Sequence, residues 1–145
     1  VLVYNATHHW LLNSISIEGR GIGLAISPTG DTLYVIRYTT ANPGDTTGNY
    51  FLRVLDTQNL NQPGNDIALA SGSLDNPPQV IVATEDGSGR AYVLDPNVTP
   101  EKKVIIWNAG AASKFANDVN AGADPRAIAV SPDGVWLFIA EATDT

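Results

Sequence analysis

Three observations predict that this chain is all-β and built from repeated four-strand units. Apolar runs of four to seven residues alternate with clusters of Gly, Pro, Asn and Asp, and no segment sustains a helical period through two turns. One hairpin signature occurs twice, as Ala25-Ile26-Ser27-Pro28-Thr29-Gly30-Asp31-Thr32-Leu33-Tyr34-Val35 and as Ala129-Val130-Ser131-Pro132-Asp133-Gly134-Val135-Trp136-Leu137-Phe138-Ile139. In each copy Pro suits a turn position with φ near about −65° and Gly one with φ > 0. Finally, two unrelated markers recur at similar spacing. The turn glycines Gly30, Gly87 and Gly134 lie 57 and 47 residues apart, and the apolar-apolar-Asx triplets starting at Val3, Val54 and Ile106 lie 51 and 52 apart.

In chain order, Val1 to Asn5 and Leu11 to Ile17 read as strands, the second alternating through Ser14, Ile15, Ser16 and Ile17. Gly21 to Ile26 and Thr32 to Tyr38 form the first signature hairpin. A polar, turn-rich loop over Thr39 to Asn49 leads to a strand at Tyr50 to Asp56, rich in the aromatic and aliphatic residues that suit a pleated surface, and to a weaker one at Ile67 to Ala70. The unit restarts with Pro78 to Thr84, a turn at Glu85 to Gly89 and Arg90 to Leu94. Val104 to Asn108 is the next strand and Lys114 to Val119 a poor one, before the third restart at Pro125 to Ala140. Consecutive apolar residues from Trp136 to Ala140 predict an inner strand covered on both faces. The short, polar fourth strands suit an outer edge that must resist pairing with other chains.

A period of about 50 residues with four strands per period matches a β-propeller blade. The implied divisions are a half-blade over 1–19, blades over 20–72 and 73–122, and a half-blade over 123–145. That is about twelve strands or three blades' worth, whereas closed propellers usually need at least four blades. The chain is thus expected to be a segment of a larger ring, an expectation strengthened by the absence of Met at position 1, or else half-blades of two copies complete each other. The two signature copies and Val54-Leu55-Asp56 resemble YVTN-type and lactonase-like β-propeller repeats. The middle unit departs from them, with Thr84-Glu85 where Ser-Pro would stand. Such repeats occur in many extracellular and surface-layer proteins and in some enzymes, so the resemblance implies either a scaffold or an enzyme using convergent charged residues near a central channel.

Composition narrows the partners. With 145 residues and 43% hydrophobic content the chain can bury one core. The net charge is −7, and eight Lys and Arg are scattered without a basic stripe, which disfavours nucleic acid and anionic membrane surfaces. The absence of Cys removes disulfides, thiolate metal sites and a Cys nucleophile. No apolar run approaches the roughly 20 residues of a membrane span. Polarity carried by Asn, Thr, Ser, Asp and Gly fits an extracellular or cell-surface protein, with the periplasm as an alternative. The sequons at Asn5 and Asn97 add little in a chain so rich in Asn and Thr.

No motif assembles a catalytic constellation. Adjacent His8 and His9 in a strand would point to opposite faces and cannot share an ion, so a surface or packing role is expected. Gly19 to Gly23 lacks the third glycine and following helix of a dinucleotide loop. Asp31, Asp45, Asp86 and Asp133 lack the spacing of a calcium loop, and neither Ser27 nor Ser131 has a His to activate it. No metal or cofactor is therefore expected. On one rim of a propeller, where loops carry binding residues, the candidates are Arg20, Asp45, Asp75, Arg126 and Glu141. Arg20, Arg126 and Glu141 are the ones that would suit a channel site. The expected function is a non-enzymatic scaffold for protein or glycan contacts. The alternative is a lactonase-like or quinoprotein-like hydrolase or oxidoreductase with part of its site outside this chain.

Overall fold

A computed structural model describes residues 1–62, 64–82, 90–108, 113–114 and 118–142. These form four antiparallel sheets in chain order, none of them closed. Sheet I pairs β1 (Leu2–Tyr4) with β2 (Leu11–Ser14). Sheet II runs β3 (Arg20–Ile26), β4 (Thr32–Thr39), β5 (Thr47–Asp56) and β6 (Asn65–Ala68), with β7 (Gly72–Ser73) also on β5. Sheet III repeats that order with β8 (Gln79–Val82), β9 (Arg90–Asp95), β10 (Lys103–Asn108) and β11 (Ser113–Lys114), and β12 (Val119–Asn120) on β10. Sheet IV pairs β13 (Pro125–Val130) with β14 (Leu137–Glu141).

The signature hairpins are built alike. In the first, Ser27 Oγ accepts the Thr32 N–H at 2.9 Å and donates to Asp31 at 2.8 Å. In the second, Ser131 Oγ accepts the Trp136 N–H at 2.9 Å and is bonded to Asp133. Gly30 and Gly134 take φ of 75° and 71°, the left-handed region only glycine enters without strain. The Gly87 turn lies outside the described residues.

Each sheet stacks on the next through its own apolar layer. Ile15 of sheet I meets Leu33, Val35 and Leu55; Tyr34, Ile36 and Leu52 of sheet II meet Ala91 and Val93; Tyr92, Leu94 and Val104 of sheet III meet Leu137 and Ile139. Strand β4 is buried on both faces because sheets lie on either side of it, and each fully buried Leu or Ile there contributes about 1.5–3 kcal/mol. The first strands β3, β8 and β13 lie side by side.

The structure corrects several expectations. Fourteen strands are described instead of about twelve: in sheet II two short segments, β6 and β7, pair with β5, and in sheet III β11 and β12 pair with β10, the expected strand Lys114 to Val119 lying partly outside the described residues. The second strand ends at Ser14, although Ile15 still bonds Val1 through its backbone. His8 and His9 sit in the turn between β1 and β2, not in a strand; His8 stacks on Trp10 with ring centroids 4.6 Å apart. The expectation that Trp136 to Ala140 is covered on both faces fails. Leu137 and Ile139 pack against sheet III, but Trp136 and Phe138 are 64% and 59% exposed, since among the described residues no sheet lies beyond sheet IV.

Candidate functional site

Where β3 begins beside the end of β4, a pocket of about 500 Å³ opens between them and the loop 40–46. Arg20, Tyr38, Thr39, Pro43, Asp45 and Leu74 are among its walls. Arg20 enters the wall as the first residue of β3, paired in register with Tyr38. Asp45 is positioned by its own loop: its carboxylate accepts the Asn42 N–H at 2.8 Å, an Asx-type closure that fixes the turn.

Tyr38 is only 2% exposed, and its ring is seated against Tyr50 at a centroid distance of 4.9 Å and against the backbone of Gly48. A side chain at Gly48 would begin 2.7 Å from Tyr38 Cζ, so glycine is what lets β5 pass this ring. The Tyr50 hydroxyl donates to the Ser73 carbonyl, and burial pushes its pKa up to about 12. The Tyr38 hydroxyl, by contrast, is buried without a hydrogen-bond partner among the described residues. A pocket with one cation, one carboxylate and walls of mixed polarity can hold a polar, hydroxyl-bearing ligand. It contains no nucleophile beside a base.

The five rim candidates divide. Arg20 and Asp45 share this pocket. Asp75 accepts from Ser73 Oγ at 3.0 Å inside its own loop. Arg126 pairs with Asp124 at 2.6 Å, and its carbonyl accepts from Gln79 Nε2 at 2.6 Å. Glu141 accepts the Ala123 N–H at 2.7 Å. Among the described residues no hydrogen bond or ion pair joins any two of the five. Arg126 and Glu141 each contact the segment 121–124, through Asp124 and the Ala123 N–H.

A second cavity, of about 730 Å³, runs along the outer side of sheet II to Trp107, whose indole Nε1 is buried without a partner among the described residues. Its carboxylates are engaged in structure. Asp31 is held by Ser27 and Thr32, and hydrogen bonds from Thr29 and Ser27 lower its pKa; Asp66 is held by Arg37 and Arg53. Sequence reasoning missed this groove and missed Asp95, which is fully buried at the end of β9. Asp95 accepts the N–H groups of Ala70 at 2.9 Å and Asn97 at 3.0 Å, joining sheet III to the loop after β6. Burial raises its pKa despite those bonds. An Asp-Pro-Asn sequence at a strand end was the available signal.

Among the described residues no cluster of His, Asp or Glu is placed to hold a metal ion, and no helix is long and apolar enough to cross a membrane. No protein-family model matches the chain, and no curated protein matches it.

Proposed function

We propose that this chain is part of a β-propeller serving as a non-enzymatic extracellular or cell-surface scaffold, and that the Arg20–Asp45 pocket is its partner-binding site. The propeller reading is supported by the recurrence at about 50 residues, by the repeated β-strand order of sheets II and III and by the adjacency of β3, β8 and β13. The observation that carries the binding role is the pocket of about 500 Å³ at one end of sheet II that presents Arg20 and Asp45 together. Between protein and glycan partners, this set favours a glycan: short, rigid and rich in paired donors and acceptors.

The test is binding of the chain to an array of neutral and acidic oligosaccharides, repeated with Arg20→Ala and Asp45→Asn. Arg20→Ala removes the pocket's cation from an exposed position at the start of β3, so it should leave thermal stability little changed while weakening binding about tenfold. Absence of binding, or binding indifferent to both substitutions, overturns the assignment. Turnover of lactones abolished by Arg126→Ala or Glu141→Ala would instead favour the enzymatic alternative.

A further inference from the structure

We propose that Asn5, in the turn between β1 and β2, is an acceptor site for an N-linked glycan, and that the packing of Asn97 keeps the other sequon from serving as one. The inference rests on the extracellular reading above and is independent of what the rim pocket binds. The two sequons, Asn5-Ala6-Thr7 and Asn97-Val98-Thr99, are alike in sequence. Their carboxamides are held in opposite ways.

At Asn5 the oxygen is engaged and the nitrogen is not. Backbone bonds from the Asn5 N–H to the Trp10 carbonyl at 2.9 Å and from the His9 N–H to the Asn5 carbonyl at 2.7 Å close the turn. Within it, Asn5 Oδ1 accepts the N–H groups of Thr7 at 2.9 Å and His8 at 2.7 Å. Two backbone donors fix that atom as the oxygen, so Nδ2, the atom that carries the sugar in N-linked glycosylation, lies on the far side of the carboxamide. Among the described residues Nδ2 makes no hydrogen bond. Asn5 is half-buried and Ala6 to Trp10 are all exposed, so the hydroxyl-bearing Thr7 that completes an acceptor sequon is open to solvent too. The stacked rings of His8 and Trp10 add an exposed aromatic surface in the same turn, against which a first sugar can lie.

The transfer is a substitution at a sugar carbon, with a lipid-diphosphate-linked oligosaccharide as donor. The bond from Nδ2 to the sugar C1 forms, and the bond from C1 to the diphosphate oxygen breaks. The amide proton passes to a base of the transferase, and the lipid diphosphate leaves. At Asn97 the product does not fit the fold. Its Nδ2 donates to the Asn76 carbonyl at 3.3 Å and to Asp95 Oδ1 at 3.4 Å, and its backbone N–H donates to the same Oδ1 at 3.0 Å. A Cβ at Gly72 would overlap the Asn97 carboxamide, so β7 runs directly against it and only glycine admits it there. A sugar on this nitrogen would need the space that the backbone of Gly72 and Asn76 fills.

The test is translation of the 145-residue chain, behind a cleavable signal peptide, into microsomes that hold the transferase and its lipid-linked donor, followed by endoglycosidase digestion. One glycan should be added. It should be lost in Asn5→Gln and in Thr7→Ala, which leaves the Asn5 carboxamide in place, kept in Thr7→Ser, and kept in Asn97→Gln. No glycan, a second glycan lost in Asn97→Gln, or a glycan that survives Asn5→Gln overturns the proposal. Because the microsomes supply the compartment, failure to add a glycan counts against the acceptor assignment and leaves the extracellular reading untouched. Binding to the oligosaccharide array by a chain that acquires no glycan would overturn this inference and leave the rim pocket standing; a glycan on Asn5 in a chain that binds nothing on the array would do the reverse.

Discussion

The guanidinium of Arg37 and the carboxylate of Asp66, 29 residues apart in sequence, meet in sheet II, with Arg37 Nε 3.1 Å from both carboxylate oxygens. Arg53 closes on the same carboxylate at 2.8 Å through both Nε and Nη2. Arg37 is 5% exposed, lies 4.5 Å over the Phe51 ring and donates to the Glu18 carbonyl at 3.1 Å. Its charge is buried, and Asp66 is what compensates it.

Asp66→Ala should therefore cost about 3 kcal/mol, because it strands a buried cation instead of merely deleting a surface pair. Hydrogen bonds first from Arg53 and then from Arg37 hold the Asp66 carboxyl far below the usual carboxylate range. The folded-state pKa is lowered, so the stability it contributes is present above the unfolded value of about 3.9 and is lost as pH falls toward the folded one. Urea unfolding at several pH values should show the stability difference between the unmodified protein and Asp66→Asn shrinking on acidification below about pH 4. A difference that stays constant down to pH 2 would refute the account.

Asp95 carries the opposite sign. Its pKa is raised by burial, so its contribution is complete below the unfolded pKa and declines as pH rises through the folded one. Asp95→Leu strips the Ala70 and Asn97 N–H groups of their acceptor and should cost about 2 kcal/mol or more. The cost should be larger at pH 3 than at pH 7, and denaturant midpoints at the two values measure it.

Legibility from sequence followed the range of the interaction. The hairpins at Ser27 and Ser131 could be read because everything that makes them, Pro, Gly and the hydroxyl that accepts an N–H five residues on, lies within one short segment. Arg37 and Asp66 each look like an ordinary surface charge in sequence, and only the β4–β5–β6 register brings them together. Consecutive apolar residues do mean two covered faces in β4, but in β14 the same pattern lacks a second neighbour among the described residues. Of the rim residues, Arg20 and Asp45 converge because a strand start and its neighbouring loop share an end of sheet II. Nothing in the spacing of Arg126 and Glu141 revealed that loop backbone and Asp124 would occupy them.

Gly134→Val should destabilise by roughly 1 kcal/mol or more, since a β-branched residue at a φ of 71° is strained whatever space surrounds it. Gly30→Ala isolates the backbone term: nothing lies within 4 Å of the Cβ position there, so its loss of about 1 kcal/mol would come from φ alone. Calorimetry showing either variant as stable as the parent would contradict the turn assignment.

Ser27→Ala leaves the Thr32 N–H without its side-chain acceptor and Asp31 without one of its donors, at a cost of about 1 kcal/mol. Ser131→Ala should cost about the same at the equivalent turn. Amide hydrogen exchange at Thr32 and Trp136 would report the loss locally, and unchanged protection at both would count against it.

Within each sheet every pairing joins strands that follow one another along the chain, apart from the short segments β7 and β12, which return to β5 and β10. Among the described residues no strand is inserted between two made earlier, so the order of synthesis and the order of assembly can coincide. Each hairpin closes over a short loop at small entropic cost, and each finished sheet offers the next an apolar platform instead of waiting for a distant partner. Such a chain can grow on the ribosome one layer at a time.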